Sequence, residues 1–139
     1  MSTPETLFVA DRPPWWLRAA ARVVVAVAVA MAHLPPRRIR QILSVARIGA
    51  VPASYEQARA ARSAAIAVSV TCAGKGCLPR SIATALLCRL RGCWPTWRVG
   101  ARTSPFGAHA WVEAEGRAVD EGENVLAFRP VMTIEPRHR

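Results

Sequence analysis

The apolar residues of this 139-residue chain change period once, between Leu90 and Trp97. Before the change, Ile39, Ile42, Leu43 and Ala46, and later Ile82, Ala85, Leu86 and Leu90, recur at helical spacing. After it, Ala108, Ala110, Val112 and Ala114 alternate with His109, Trp111 and Glu113. A period near 3.6 puts an apolar stripe on a helix, and a period of two puts an apolar face on a strand. Helices first and strands after predict an α+β domain, with N-terminal helices followed by one further helix and a small antiparallel sheet.

Breakers divide the chain. Residues 1–14 read as a flexible tail ending at Pro13-Pro14, and residues 15–139 as a single domain, helical over 15–71 with a mixed core over 72–139. That length suits one domain. A helix is expected over 15–34, although its five valines leave a strand open. Pro35-Pro36 stops it and starts a second helix, which Gly49 to Pro52 ends. Ser54 is a plausible N-cap for a third, running to about Val70. After Gly74-Lys75-Gly76 a helix returns from Leu78 to Leu90, with Gly92 just past its end. Trp97 to Arg102 reads as a strand and Thr103 to Gly107 as a loop. Ala108 to Ala114 and Arg117 to Glu121 read as a hairpin turning at Glu115-Gly116.

The charge is lopsided. Residues 1–112 hold 15 Lys/Arg against three acids and residues 113–139 four against six, which sum to the net +10. A basic body attracts nucleic acid, anionic membranes or acidic peptides. Yet 18 of the 19 cations are arginines, scattered with no run denser than Arg37-Arg38-Ile39-Arg40. That is the pattern of a solvated basic surface, and with no binding motif beside it no nucleic-acid partner is expected. Residues 23–32 resemble the apolar part of a signal peptide, but Glu5, Asp11 and Trp15-Trp16 before them fit poorly. The uncharged run from Val23 to Leu34 is shorter than the ~20 residues of a membrane span. It reads as a buried or partner-facing helix of a cytoplasmic protein, with at most weak membrane association.

Four cysteines (72, 77, 88 and 93) crowd into 22 residues. Cys77 follows Gly74-Lys75-Gly76 and opens a helix. There the free amides and partial positive charge lower a thiol's pKa, Lys75 adds to the effect, and the same amides can hold an oxyanion. Cys88 and Cys93 flank the helix's C-terminal end, where the dipole opposes a thiolate. A cysteine hydrolase also needs a base and a group to orient that base. His109 is the candidate base, because strand alternation sets it with Trp111 and Glu113 opposite the small apolar face. If Glu115-Gly116 is a two-residue turn, Trp111 faces Asp120, and Asp120 lies diagonally beside His109. Any even-length loop gives this parity and selects Asp120 as the orienting acid. An odd one favours Glu121 or Glu123.

The blocks Cys77-Leu-Pro-Arg-Ser-Ile-Ala, Leu86-Leu87, Gly92, Arg98-Val-Gly and Pro105-Phe106-Gly-Ala-His109-Ala-Trp-Val-Glu113, with Gly116, resemble the lasso-peptide leader peptidases over roughly residues 72–130. These are the peptidase half of the lasso maturation protease, related to transglutaminases and papain-like enzymes. The resemblance implies a papain/transglutaminase-like fold, a catalytic core over 72–139 and a Cys77, His109 and Asp120 triad without cofactor or metal. It implies hydrolysis of a lasso precursor peptide at its leader–core junction, before a separate ATP-using macrolactam synthetase closes the ring. Because 71 mostly helical, apolar residues precede the match and do not look like a winged-helix leader-binding module, a separate leader-binding protein is the expected partner.

Three rivals stand beside this reading. Amide-forming acyl transfer uses the same thioester, resolved by an amine. A four-cysteine zinc site would suit the C-x4-C-x10-C-x4-C spacing. However, a helical spacer puts Cys77 and Cys88 roughly 16 Å apart at 1.5 Å per residue, too far for thiolates that must sit about 2.3 Å from one ion. A basic nucleic-acid-binding domain would draw on pI ≈ 11.3 and five tryptophans.

Overall fold

The computed structural model describes residues 15–74 and 76–137, without the side chains of Thr71 and Glu123. The expected tail at residues 1–14 and Lys75 lie outside the described residues. Helices come first: α1 (Trp15–Met31), α2 (Pro36–Ala46), α3 (Tyr55–Val68), the one-turn α4 (Val70–Ala73) and α5 (Cys77–Leu90). The two-residue strand β1 (Val51–Pro52) lies between α2 and α3, and β2 (Cys93–Trp94), β3 (Thr96–Thr103), β4 (Phe106–Ala114), β5 (Arg117–Ala118) and β6 (Arg129–Ile134) follow α5. The expected α+β architecture is present.

Local chemistry explains the boundaries. Pro36 starts α2 at a position whose missing N–H costs nothing. Ser54 and Gln57 form a reciprocal capping box at the start of α3. Gly116 turns the β4–β5 hairpin at φ +77°, and Glu113 pairs with Ala118 and Ala114 with Arg117. The two-residue turn is thus as the sequence predicts.

The main sheet has the order β5-β4-β3-β6, all neighbours antiparallel. Strand β6 has no counterpart in the sequence reading. Pro130 breaks its pattern, and the register shifts against Val99 and Gly100, so Val131 is an extra residue in a bulge. Proline is tolerated there because β6 is an edge strand. Strands β1 and β2 pair in parallel as a separate two-stranded sheet.

Helix α5 packs against α1 and α3 as well as β4 and β3. Its Ile82, Ala83, Ala85, Leu87 and Cys88 are buried. Alanines at 58, 61, 64 and 65 make the buried stripe of α3 and let the two helices approach closely. Leu17, Ala21, Val24, Val25, Ala28 and Met31 are the buried stripe of α1. The three buried tryptophans satisfy their indole N–H: Trp94 donates to the Ile134 carbonyl at 3.2 Å, Trp97 to Ser81 Oγ at 2.9 Å and Trp111 to Glu113 Oε2 at 3.0 Å. Arg89 donates to the Ala46 and Ile48 carbonyls, tying α5 to the end of α2.

Candidate active site

Cys77 is the first residue of α5 and is half-buried, whereas Cys72, Cys88 and Cys93 are buried; all four are free thiols. Gly76, the N-cap, has no side chain to occupy the helix's first amides. The first intrahelical bond runs from the Arg80 N–H to the Gly76 carbonyl at 3.0 Å. Pro79 has no N–H, so the amides of Cys77 and Leu78 are the donors left at the helix start. The segment leading to them is fixed: Ser69 Oγ accepts from the Cys72 amide, and the Arg80 guanidinium donates to the carbonyls of Cys72 at 2.9 Å and Gly74 at 3.1 Å. That guanidinium also sets a cation on the first turn of the helix.

The other thiols are chemically different. The Cys93 side chain and burial hold the Cys88 thiol well above its ordinary range. The Cys88 side chain pulls Cys93 down to about 7, with help from Arg91 and against burial. Cys93 is nevertheless 1% exposed, and a thiol that no carbonyl can reach is not a nucleophile. Cys77 and Cys88 lie on one continuous helix, as the argument against a shared zinc ion requires. Among the described residues no group of His, Cys, Asp and Glu is arranged to hold a metal ion.

His109 is the fourth residue of β4, the strand on which α5 packs. Its ring is stacked on Trp111, with centroids 5.7 Å apart, and lies 5.4 Å from the Phe128 ring on its other contact. Arg102 covers Phe128 in turn, at 4.9 Å. Gly100 faces His109 across the β3–β4 ladder. An added Cβ there would come within 2.9 Å of Trp111 and 3.0 Å of Phe128, so the glycine makes room for the aromatic enclosure.

The acid beside His109 differs from the expectation. His109 Nε2 lies 2.8 Å from Glu121 Oε1, while Asp120 receives Arg59 Nε at 3.1 Å and its backbone N–H donates to the Tyr55 hydroxyl at 3.2 Å. The hairpin parity holds through Val119, whose N–H bonds the Val112 carbonyl. Asp120 then adopts φ +51°, a left-handed conformation that aspartate tolerates better than most residues. Strand alternation ends at that residue, and Glu121, not Asp120, turns toward the imidazole. Asp120 beside His109 is therefore corrected to Glu121 beside His109.

The structure joins His109 to Glu121 and sets Cys77 on the helix packed over the same strand. It gives no hydrogen bond between the Cys77 thiol and His109. With Nε2 donating to Glu121, Nδ1 is the nitrogen free to take a proton. Sequence reasoning missed Tyr55, Arg59 and Arg62, which lie at helical spacing on α3. Arg62 Nη2 is 3.6 Å from Glu121 Oε2. The spacing was visible, but its partners could not be named without the fold.

A family model described as the Transglutaminase-like superfamily matches residues 21–133. No curated protein and no solved structure gave a match.

Proposed function

The chain belongs to the transglutaminase-like superfamily, which suggests cysteine peptidase or acyltransferase chemistry, and from that premise we propose that it is a cysteine peptidase that removes the leader of a lasso-peptide precursor. The observation that carries the chemistry is the His109–Glu121 bond at 2.8 Å. It leaves Nδ1 as the base for a thiol at the uncapped start of α5. The substrate class is carried by the resemblance of the Cys77 and His109 blocks.

On this reading His109 Nδ1 takes the Cys77 proton, and the thiolate attacks the carbonyl carbon of the leader's last residue. The amides of Cys77 and Leu78 hold the oxyanion. The tetrahedral intermediate collapses as His109 returns its proton to the leaving amine, releasing the core with a free N-terminus. Water, deprotonated by His109, then hydrolyses the leader thioester. Glu121 fixes the tautomer and stabilises the imidazolium. Transfer of the acyl group to an amine would use the same thioester.

A separate leader-binding protein is the proposed partner, docking on the exposed stripe of α1 formed by Trp16, Val23 and Val27. Among the described residues no helix is long and apolar enough to cross a membrane. The test is incubation of precursor, partner and enzyme with and without an added amine, read by mass spectrometry. Free leader acid and core with a free amine support hydrolysis. A leader amide formed faster than the acid makes acyl transfer the reaction, and an intact precursor overturns the proposal.

A further inference from the structure

We propose that α3 is the positioning element of the site, with Tyr55 and Arg59 holding the Asp120 turn and Arg62 holding the Glu121 carboxylate against His109. The proposal deepens the catalytic reading above and rests on it for the role of His109.

Tyr55, Arg59 and Arg62 fall at i, i+4 and i+7, so they share one face of α3. Each engages the Asp120-Glu121 dipeptide. The Tyr55 hydroxyl accepts from the Asp120 N–H at 3.2 Å and lies 3.5 Å from Oδ1. Arg59 Nε reaches both Asp120 carboxylate oxygens, at 3.1 and 3.3 Å. Arg62 Nη2 lies 3.6 Å from Glu121 Oε2, while the other oxygen of that carboxylate meets His109.

These contacts answer a conformational need. Asp120 is left-handed at φ +51°, and a non-glycine residue stays there only when its surroundings hold it. Two side chains of α3 supply that hold, and the turn they hold aims the next residue at the imidazole. Arg62 then fixes the carboxylate at a second point. Its side chain is 16% exposed and that of Glu121 10%, so this is no freely solvated surface pair. Without Arg62 the carboxylate is tethered by His109 alone and is free to rotate off Nε2. The imidazole then loses its fixed tautomer, and Nδ1 is no longer reliably unprotonated toward Cys77.

The first test needs no substrate. In protein carrying 15N-labelled histidine, the Nε2-bound proton of His109 should be visible and slow to exchange because Glu121 accepts it. Arg62→Gln should lose that signal as Glu121→Gln does, while Arg62→Lys retains it, with all three variants melting near the wild type. In steady-state cleavage of the precursor Arg62→Gln should lower kcat about tenfold or more with little change in KM, and Arg62→Lys should recover most of it. A folded Arg62→Gln protein that keeps the wild-type Nε2–H signal overturns the proposal. If Arg62→Gln does not fold, Tyr55→Phe is read in its place: a weakened Nε2–H signal supports the clamp, and an unchanged one overturns it. A wild type that shows the signal yet cuts no precursor leaves the clamp standing and removes the peptidase reading.

Discussion

The indole N–H of Trp97 donates to Ser81 Oγ at 2.9 Å, and Ser81 in turn donates to the Leu78 carbonyl at 2.9 Å. Strand β3 is thereby bonded to α5 one helical turn beyond Cys77. Ser81→Ala would leave a buried indole donor unpaired, a loss of about 1–3 kcal/mol. Urea unfolding of the variant should show that loss, and Ser81→Thr should recover part of it.

Burial separates the four thiols more sharply than their position in the sequence. Iodoacetamide under native conditions should label Cys77 and leave Cys72, Cys88 and Cys93 unmodified until the chain unfolds, as peptide mapping would reveal. Cys77→Ala should abolish leader removal with the fold intact. Conversion of each buried cysteine singly to serine should retain cleavage at some loss of stability, because an added hydroxyl must find a partner.

Of the two adjacent acids, the one bonded to the imidazole should matter more. Glu121→Gln should reduce single-turnover cleavage roughly 10²–10⁴-fold, the usual scale of a disabled general base. Asp120→Asn keeps a side chain that tolerates a positive φ and should cost less than about tenfold. Asp120→Val puts a β-branched residue into the left-handed region and should be the more damaging change at that site. Equal losses in Glu121→Gln and Asp120→Asn would contradict the assignment.

Gly100→Ala tests the enclosure around His109. The new methyl would meet the Trp111 ring at 2.9 Å and the Phe128 Cβ at 3.0 Å. Both belong to side chains that contact the imidazole. Overpacking of this kind costs about 1–3 kcal/mol. The variant should therefore lose both stability and activity, with the shift seen in tryptophan fluorescence.

Helix α1 presents two apolar faces. One is core; on the other Val23 is 66% exposed and Val27 46%, with Trp16 two turns before Val23. A Val23→Glu, Val27→Glu double variant should leave the melting temperature within about 2 °C and weaken binding of the proposed leader-binding partner at least tenfold, since charge opposes burial of such a patch. Full affinity measured by calorimetry would remove the patch from the interface.

The helices were legible because their stripes and caps are local: Pro36, Ser54 with Gln57, and the Gly76–Cys77 start can each be read from a few neighbouring letters. The hairpin register was legible for the same reason. The step from register to side-chain direction failed at Asp120. A single left-handed residue reverses the face of the residues after it, and its hold comes from Tyr55 and Arg59, 65 and 61 residues away. Strand β6 was hidden by Pro130 and by its bulge, both admissible at an edge. The paired strands β1 and β2, two residues each, carry no pattern at all.

The edges of the main sheet bear on how a peptide can be gripped. On one side β5 ends after two residues. On the other, β6 carries a proline and a bulge opposite Gly100. An extended chain that adds itself to a sheet needs a row of regularly spaced, unpaired backbone groups; the β6 margin is interrupted, whereas β5 pairs only Glu113 and Ala114 and leaves the earlier part of β4 with no strand on its outer side. The β6 margin is shaped as proteins shape margins that must stay free of stray strands. A peptide that adds itself to this sheet would therefore do so along β4, the strand that carries His109, and not along β6.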